Sequence, residues 1–398
     1  MSDKSAIRFP NDVDTSSLST EEKQFVCTSA LMEDKFVALD TDRNKRYGKA
    51  YIGTSLGSFR SYPSTRQTDE STGTCVDYDP RFRPWYVTAT SGAKNVILLI
   101  DTSGSMLGER MTLAKDAAKA VINTLSNNDF VGIISFGSSA TTVNTTKVTR
   151  ATIANKQGFT SAIDALEANG QTNYEGAFQK GFELLNAAQS DEYGAPCTNG
   201  ENIFLFLTDG TPTVGLSSSS DLINLINAYN TQISMFTYAL GSGADTTILQ
   251  DLACQYEGIM FQIADSGSTS ALTTTMRNYY TYISEGVSIS QPVWTEPYQD
   301  AFGFGKLVTV SMPIYYEENG FRTILGVAAI DVAYSQIEYG QTEEDVIKRL
   351  ISNAPCQMSN LTYCQIDNLR TTSCGGSCAA SSTLNSCADT ASEVFLAE

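Results

Sequence analysis

Between residues 94 and 286, short apolar runs alternate with longer amphipathic stretches, and few folds accommodate that rhythm. The runs cover residues 95–101, 130–136, 203–208, 233–240 and 259–263, where valine, isoleucine, leucine and phenylalanine crowd together. A strand buried on both faces needs such a run, whereas a strand with one wet face alternates apolar and polar residues. Amphipathic spacing over residues 110–125, 172–188, 218–229, 245–256 and 268–284 predicts the intervening helices, several opened by a Ser, Thr or Asp cap. The expectation is an α/β unit built on a doubly wound, mostly parallel sheet.

The flanks follow a different period. Residues 51–62 and 306–332 carry β-type alternation, and Glu318-Asn319-Gly320 is a hairpin signal because Asn-Gly tolerates positive φ. A two-stranded ribbon is marginal in water, so the simplest arrangement pairs both flanks in one antiparallel sheet and loops the α/β unit out of it. The ends of the inserted unit must then lie close together. A helix is predicted over 343–352, followed by a Ser, Thr, Gly and Cys-rich tail whose order depends on cross-links. The boundaries read from these shifts are 1–92, 93–286, 287–340 and 341–398.

Charge and composition remove several function classes. Lys and Arg number 26 against 44 Asp and Glu, and a net charge of −18 repels nucleic acid and anionic membrane surfaces. The chain has no histidine, which rules out Ser-His-Asp triads, His-Glu-x-x-His metalloproteases and most zinc sites. Gly53-Thr54-Ser55-Leu56-Gly57 spells the nucleophile-elbow pattern but has no imidazole to activate its serine. No carboxylate pair shows a spacing that demands acid/base work, so the chain is not read as an enzyme.

Nine cysteines, five of them from Cys356 to Cys387, form no Cys-x-x-Cys pair and are read as disulfide partners, with one left over. Sequons at Asn144 and Asn360 agree with an oxidising secretory route and with glycosylation there. No run of about 18 apolar residues exists and the N-terminal stretch lacks a basic-then-apolar signal. An extracellular or cell-surface location therefore implies a signal and anchor that this chain does not contain.

Asp101-Thr102-Ser103-Gly104-Ser105 stands where the first apolar run gives way to a helix, placing one carboxylate and two hydroxyls in one turn. Hard cations take such oxygen ligands, and few carboxylates among neutral hydroxyls leave an ion partly open and electrophilic. At the carboxyl edge of an open α/β sheet, Thr172 in Gly170-Gln171-Thr172-Asn173 and Asp209 in Leu207-Thr208-Asp209-Gly210 reach the same place. These three segments, in this order, resemble the metal-ion-dependent adhesion site of von Willebrand factor type A domains. The resemblance implies that Asp101, Ser103, Ser105, Thr172 and Asp209 hold Mg²⁺ or Ca²⁺, and that a protein partner supplies an Asp or Glu carboxylate to the ion. Asp40-Thr41-Asp42-Arg43-Asn44 mimics a calcium-loop opening, but Lys45 and Tyr51 stand where glycine and glutamate are needed, so a polar β-turn is expected.

Tyr78-Asp79-Pro80-Arg81-Phe82-Arg83-Pro84-Trp85-Tyr86 gathers aromatic and guanidinium groups on an acidic chain, and Arg83 is suited to grip a carboxylate bidentately. With Pro297-Tyr298 and the strand from Gly326 to Asp331, it resembles the amino-acid-binding motif of extracellular Cache domains. That resemblance implies a free amino acid held by Arg83 at its carboxylate and by Asp331 at its ammonium, within walls of Tyr78, Trp85, Tyr86 and Tyr298. A type A domain inserted in a Cache domain is, over residues 35–335, similar to the alpha-2/delta auxiliary subunits of voltage-gated calcium channels. Together the two resemblances imply an extracellular recognition protein, with a membrane channel or surface assembly as destination. An amino-acid sensor ectodomain and a structural component of a surface coat or fibre are the alternatives.

Overall fold

A computed structural model describes residues 4–10, 13–41, 47–64, 78–188, 201–264, 275, 276, 279, 280, 292–299, 305–318 and 321–352. In chain order the elements begin with β1 (Ala6–Arg8), α1 (Thr20–Ala30), α2 (Glu33–Thr41), β2 (Tyr47–Thr54), β3 (Phe59–Tyr62) and α3 (Pro84–Ser91). They continue with β4 (Lys94–Asp101), α4 (Glu109–Thr124), β5 (Phe130–Phe136), β6 (Ala140–Thr142), β7 (Thr149–Arg150), α5 (Ile153–Asp164) and α6 (Tyr174–Asn186). Next come β8 (Glu201–Thr208), α7 (Ser219–Asn227), β9 (Ser234–Leu240), α8 (Thr247–Gln255) and β10 (Met260–Ile263). The last are β11 (Val293–Trp294), β12 (Tyr298–Gln299), β13 (Lys306–Glu318), β14 (Phe321–Ala333) and α9 (Glu343–Ser352). Among the described residues the chain divides into two compact units, Ser91–Ser288 and the pair Met1–Thr90 with Ile289–Asn353.

In the unit Ser91–Ser288 the strand order is β10-β9-β8-β4-β5-β6, with β7 on the other half of β5. The first five strands run parallel, and β6 and β7 are antiparallel. Every residue of β4 is buried, as an uninterrupted apolar run requires of a central strand. Its odd positions Ile97 and Leu99 join a cluster with Phe178, Phe182, Phe204, Phe206, Leu222 and Leu252, which packs α6, α7 and α8 on one face. Chain order reverses between β4 and β8, and at that switch point the loops leaving adjacent strands part to form a crevice.

The other unit holds one antiparallel sheet, β1-β3-β2-β14-β13-β11, with β12 also on β13. The two flanks meet along β2 and β14, with Ala328 opposite Ile52 and Ala329 opposite Tyr51. Side chains alternate across this sheet: Ala50, Ile52 and Tyr62 cluster with Phe36 of α2 and with Phe25 and Met32, while Tyr51 and Phe59 point to the face where Trp85 lies. α9 packs Val346 and Leu350 onto Val308.

Asp40 and Thr41 are the last two residues of α2, and Asp42, Arg43 and Asn44 of the expected polar β-turn lie outside the described residues. Gly53-Thr54-Ser55-Leu56-Gly57 runs from β2 into a turn that leads to β3, so it lacks the strand-to-helix geometry of an elbow. Asn319 and Gly320 lie outside the described residues, although Glu318 pairs with Phe321 as a two-residue hairpin loop requires. Most of the helix expected over 268–284, Asn360 and the Cys-rich tail also lie outside them. Cys254 is disulfide-bonded.

Candidate functional site

Three loops converge at the carboxyl ends of β4 and β8. Asp101 is the last residue of β4, Ser103 caps the 3-10 turn Gly104–Met106, and Ser105 lies inside that turn. The Ser103 amide donates to Asp101 Oδ1 at 2.7 Å and Thr208 Oγ1 donates to Asp101 Oδ2 at 2.5 Å. The Ser103 and Ser105 hydroxyls are 3.0 Å apart, and Ser105 donates to Asp209 Oδ1 at 2.8 Å. Arg110 Nη1 lies 2.6 Å from Asp209 Oδ2.

The loop carrying Thr172 is bound to both of the others. Asn169 donates its amide to the Thr102 carbonyl at 2.7 Å, and Gly104 donates to the Gly170 carbonyl at 2.9 Å. Thr172 itself donates from its amide to Thr213 Oγ1 and accepts at its carbonyl from the Thr213 amide, both at 2.9 Å. Gly170 turns this loop at φ +78°, where a Cβ would come within 2.7 Å of Ser138 Oγ, so only glycine fits. Tyr174, buried at the start of α6, approaches Thr208 Oγ1 and donates to the Gly210 carbonyl, which fixes the loop behind the acidic pair.

Asp101 is fully buried, yet its oxygens receive only an amide and hydroxyls. The same unit shows the contrasting case: Asp129, equally buried, accepts from the Lys94 ammonium at 3.1 Å. A buried carboxylate without a cation costs several kcal/mol, and burial pushes the Asp101 carboxyl up to about 6. Hydroxyls that donate to carboxylates keep acceptor lone pairs for an electrophile, so oxygen-only donors around an uncompensated aspartate fit a hard divalent cation. Among the described residues no three His, Cys, Asp or Glu side chains converge, which leaves hydroxyls to supply the remaining ligands.

In the other unit, the Arg83 guanidinium lies 4.5 Å from the Tyr78 ring centre, and its Nε is buried with no hydrogen-bond partner. Tyr78 packs on Phe59 at 4.5 Å, and Trp85 meets Tyr51 edge-on at 4.9 Å and Tyr86 at 5.7 Å. Asp331 Oδ1 accepts from Tyr51 at 2.6 Å, Thr309 at 2.8 Å and Tyr298 at 3.2 Å. Desolvation raises the Tyr78 hydroxyl to about 12, against the pull of Arg83, and the Asp331 charge adds to the rise. Tyr78, Arg83, Trp85, Tyr298 and Asp331 therefore share one neighbourhood, joined by Tyr51 and Thr309. Those two, like Arg110 in the first site, carry no motif of their own; only the register of the sheet, which sets Thr309 opposite Asp331 and Tyr51 opposite Ala329, brings them there.

Residues 95–275 match the profile of the von Willebrand factor type A domain, and this chain carries a domain of that family. Over a longer stretch the chain is similar to the human voltage-dependent calcium channel subunit alpha-2/delta-2 (Homo sapiens), 30% identical over 301 residues, covering 72% of this chain and 25% of that protein. Human inter-alpha-trypsin inhibitor heavy chain H6 (Homo sapiens) is 33% identical over 174 residues, which is 43% of this chain and 13% of that one. Among solved structures, a von Willebrand factor type A protein from Catenulispora acidiphila aligns with TM-score 0.42 at 18% identity, over 61% of this chain and 58% of its own. The chain spans about a quarter of the length of the channel subunits it matches. Among the described residues no helix is long and apolar enough to cross a membrane.

Proposed function

We propose that the type A domain is a cation-dependent recognition module of an extracellular or cell-surface protein, and not an enzyme. Asp101, Ser103, Ser105, Thr172 and Asp209 would hold Mg²⁺ or Ca²⁺, with Thr208 and Tyr174 fixing the loops behind them. When bound, the ion supplies an open electrophilic position for an Asp or Glu carboxylate from a partner protein. The observation that carries this reading is the bridge Asp101, Ser103, Ser105, Asp209 across the switch point, which spans residues 101 to 209 through contacts of 3.0 Å or less. Similarity to calcium channel alpha-2/delta subunits makes a membrane channel one partner class. Titration calorimetry with Mn²⁺ checks the centre: wild type is expected to bind, EDTA to reverse it, and Asp101→Ala to abolish it while the fold persists. Equal binding by Asp101→Ala would sink the reading.

A second reading concerns the unit built on β2, β13 and β14, read as a Cache domain. The buried, unpartnered Arg83 Nε favours it, since such a donor asks for an acceptor. Arg83 would take the carboxylate and Asp331 the ammonium of a free amino acid, walled by Tyr78, Trp85, Tyr86 and Tyr298. A panel of amino acids should raise the melting temperature, and Arg83→Ala should remove the rise. Asn144, exposed in a turn at φ +68°, is open to glycosylation.

A further inference from the structure

We infer that Arg110 is a resident competitor at the metal centre, which weakens divalent-cation binding and leaves the loaded centre with surplus positive charge for a partner's carboxylate. The inference rests on the reading of that centre given above. Its basis is the ion pair between Arg110 Nη1 and Asp209 Oδ2 at 2.6 Å, in which the Asp209 side chain is 1% exposed and the Arg110 side chain 32% exposed.

Asp209 uses its other oxygen to accept from Ser105, so both of its oxygens are engaged before any ion arrives. The guanidinium comes from the first turn of α4, held next to the 3-10 turn that carries Ser105. Asp101 and Asp209 bring two negative charges and Arg110 returns one, so these three side chains sum to one negative charge and attract a dication less than the carboxylates alone. Loading a dication then makes the centre singly positive. Without the arginine it would be neutral, and an incoming carboxylate would meet the open ion without that added long-range attraction. Arg110 thus exchanges affinity for the ion against affinity for the ligand of the ion. Because the guanidinium is partly exposed, its effect must weaken as salt screens it.

The test titrates Mn²⁺ alone into the full chain as wild type, Arg110→Gln and Arg110→Lys. At low salt, about 20 mM, Arg110→Gln should bind about tenfold more tightly than wild type, and the gain should shrink at about 0.5 M salt. Arg110→Lys keeps the charge and should stay within about threefold of wild type. If Arg110 instead only holds Asp209 in place, Arg110→Gln binds equally or more weakly, and the inference fails. It also fails if Arg110→Lys gains as much as Arg110→Gln, since charge would then not be the cause. Binding by Arg110→Gln with none by wild type is the expected result in extreme form. Silence from both removes the metal reading itself, and the inference with it. Circular dichroism of each metal-free variant keeps loss of fold separate from loss of binding.

Discussion

Asp101 and Thr208 show how one hydrogen bond fits a residue to its site. Thr208 Oγ1 donates to Asp101 Oδ2 at 2.5 Å, and both side chains are fully buried. Thr208→Val keeps the volume and removes the hydroxyl. It should cost about 1–3 kcal/mol in urea unfolding of the metal-free protein, because a buried acceptor is stranded. Loss of less than a few tenths would mean that Asp101 finds another donor. The amino-acid order marks Asp101, Ser103, Ser105 and Asp209 as candidates because their motifs follow buried strands, and Thr172 because its motif precedes a helix. It does not mark Arg110 or Thr208, since an arginine in a first helical turn and a threonine ending a strand are ordinary residues until the loops close on them.

At the level of elements, legibility followed burial. The strands of the parallel sheet are uninterrupted apolar runs, and β4, β5, β8, β9 and β10 stand within a few residues of where that pattern puts them. α3 escaped notice because Pro84–Ser91 is mostly apolar or small and shows no period, and α1 because only Val26 and Ser29 are buried along it. β6 and β7 are two or three residues long, too short for alternation to register.

Close packing makes a ranked prediction at this scale. A Cβ on Gly132 of β5 would meet Leu184 Cδ2 of α6 at 2.4 Å, whereas one on Gly258 would meet the Met235 carbonyl oxygen at 1.8 Å. A leucine methyl can rotate away and a strand carbonyl cannot, so Gly132→Ala should cost about 1–3 kcal/mol and Gly258→Ala more. The reverse order in chemical denaturation would refute the argument.

For the molecule as a whole, each candidate site is built within one of the two units, and that dictates how ligands register in calorimetry. Chains with more than one domain often depart from two-state unfolding, and a ligand specific to a folded unit stabilises that unit by about 2.7 kcal/mol at a hundred times its Kd. Mn²⁺ should therefore raise one calorimetric transition and an amino acid the other. A single transition moved equally by both would show that the units unfold together.

Amino-acid order alone determined that a mostly parallel sheet exists, which residues could offer oxygen to a cation, and that histidine chemistry is absent. It could do so because two-sided burial and short turns write themselves into neighbouring positions. Tertiary structure alone decided that Arg110 and Thr208 belong to the centre and that Tyr51 and Thr309 hold Asp331. Those contacts join residues 99, 107, 280 and 22 positions apart, and a hydrogen bond across such a distance leaves no local pattern to read.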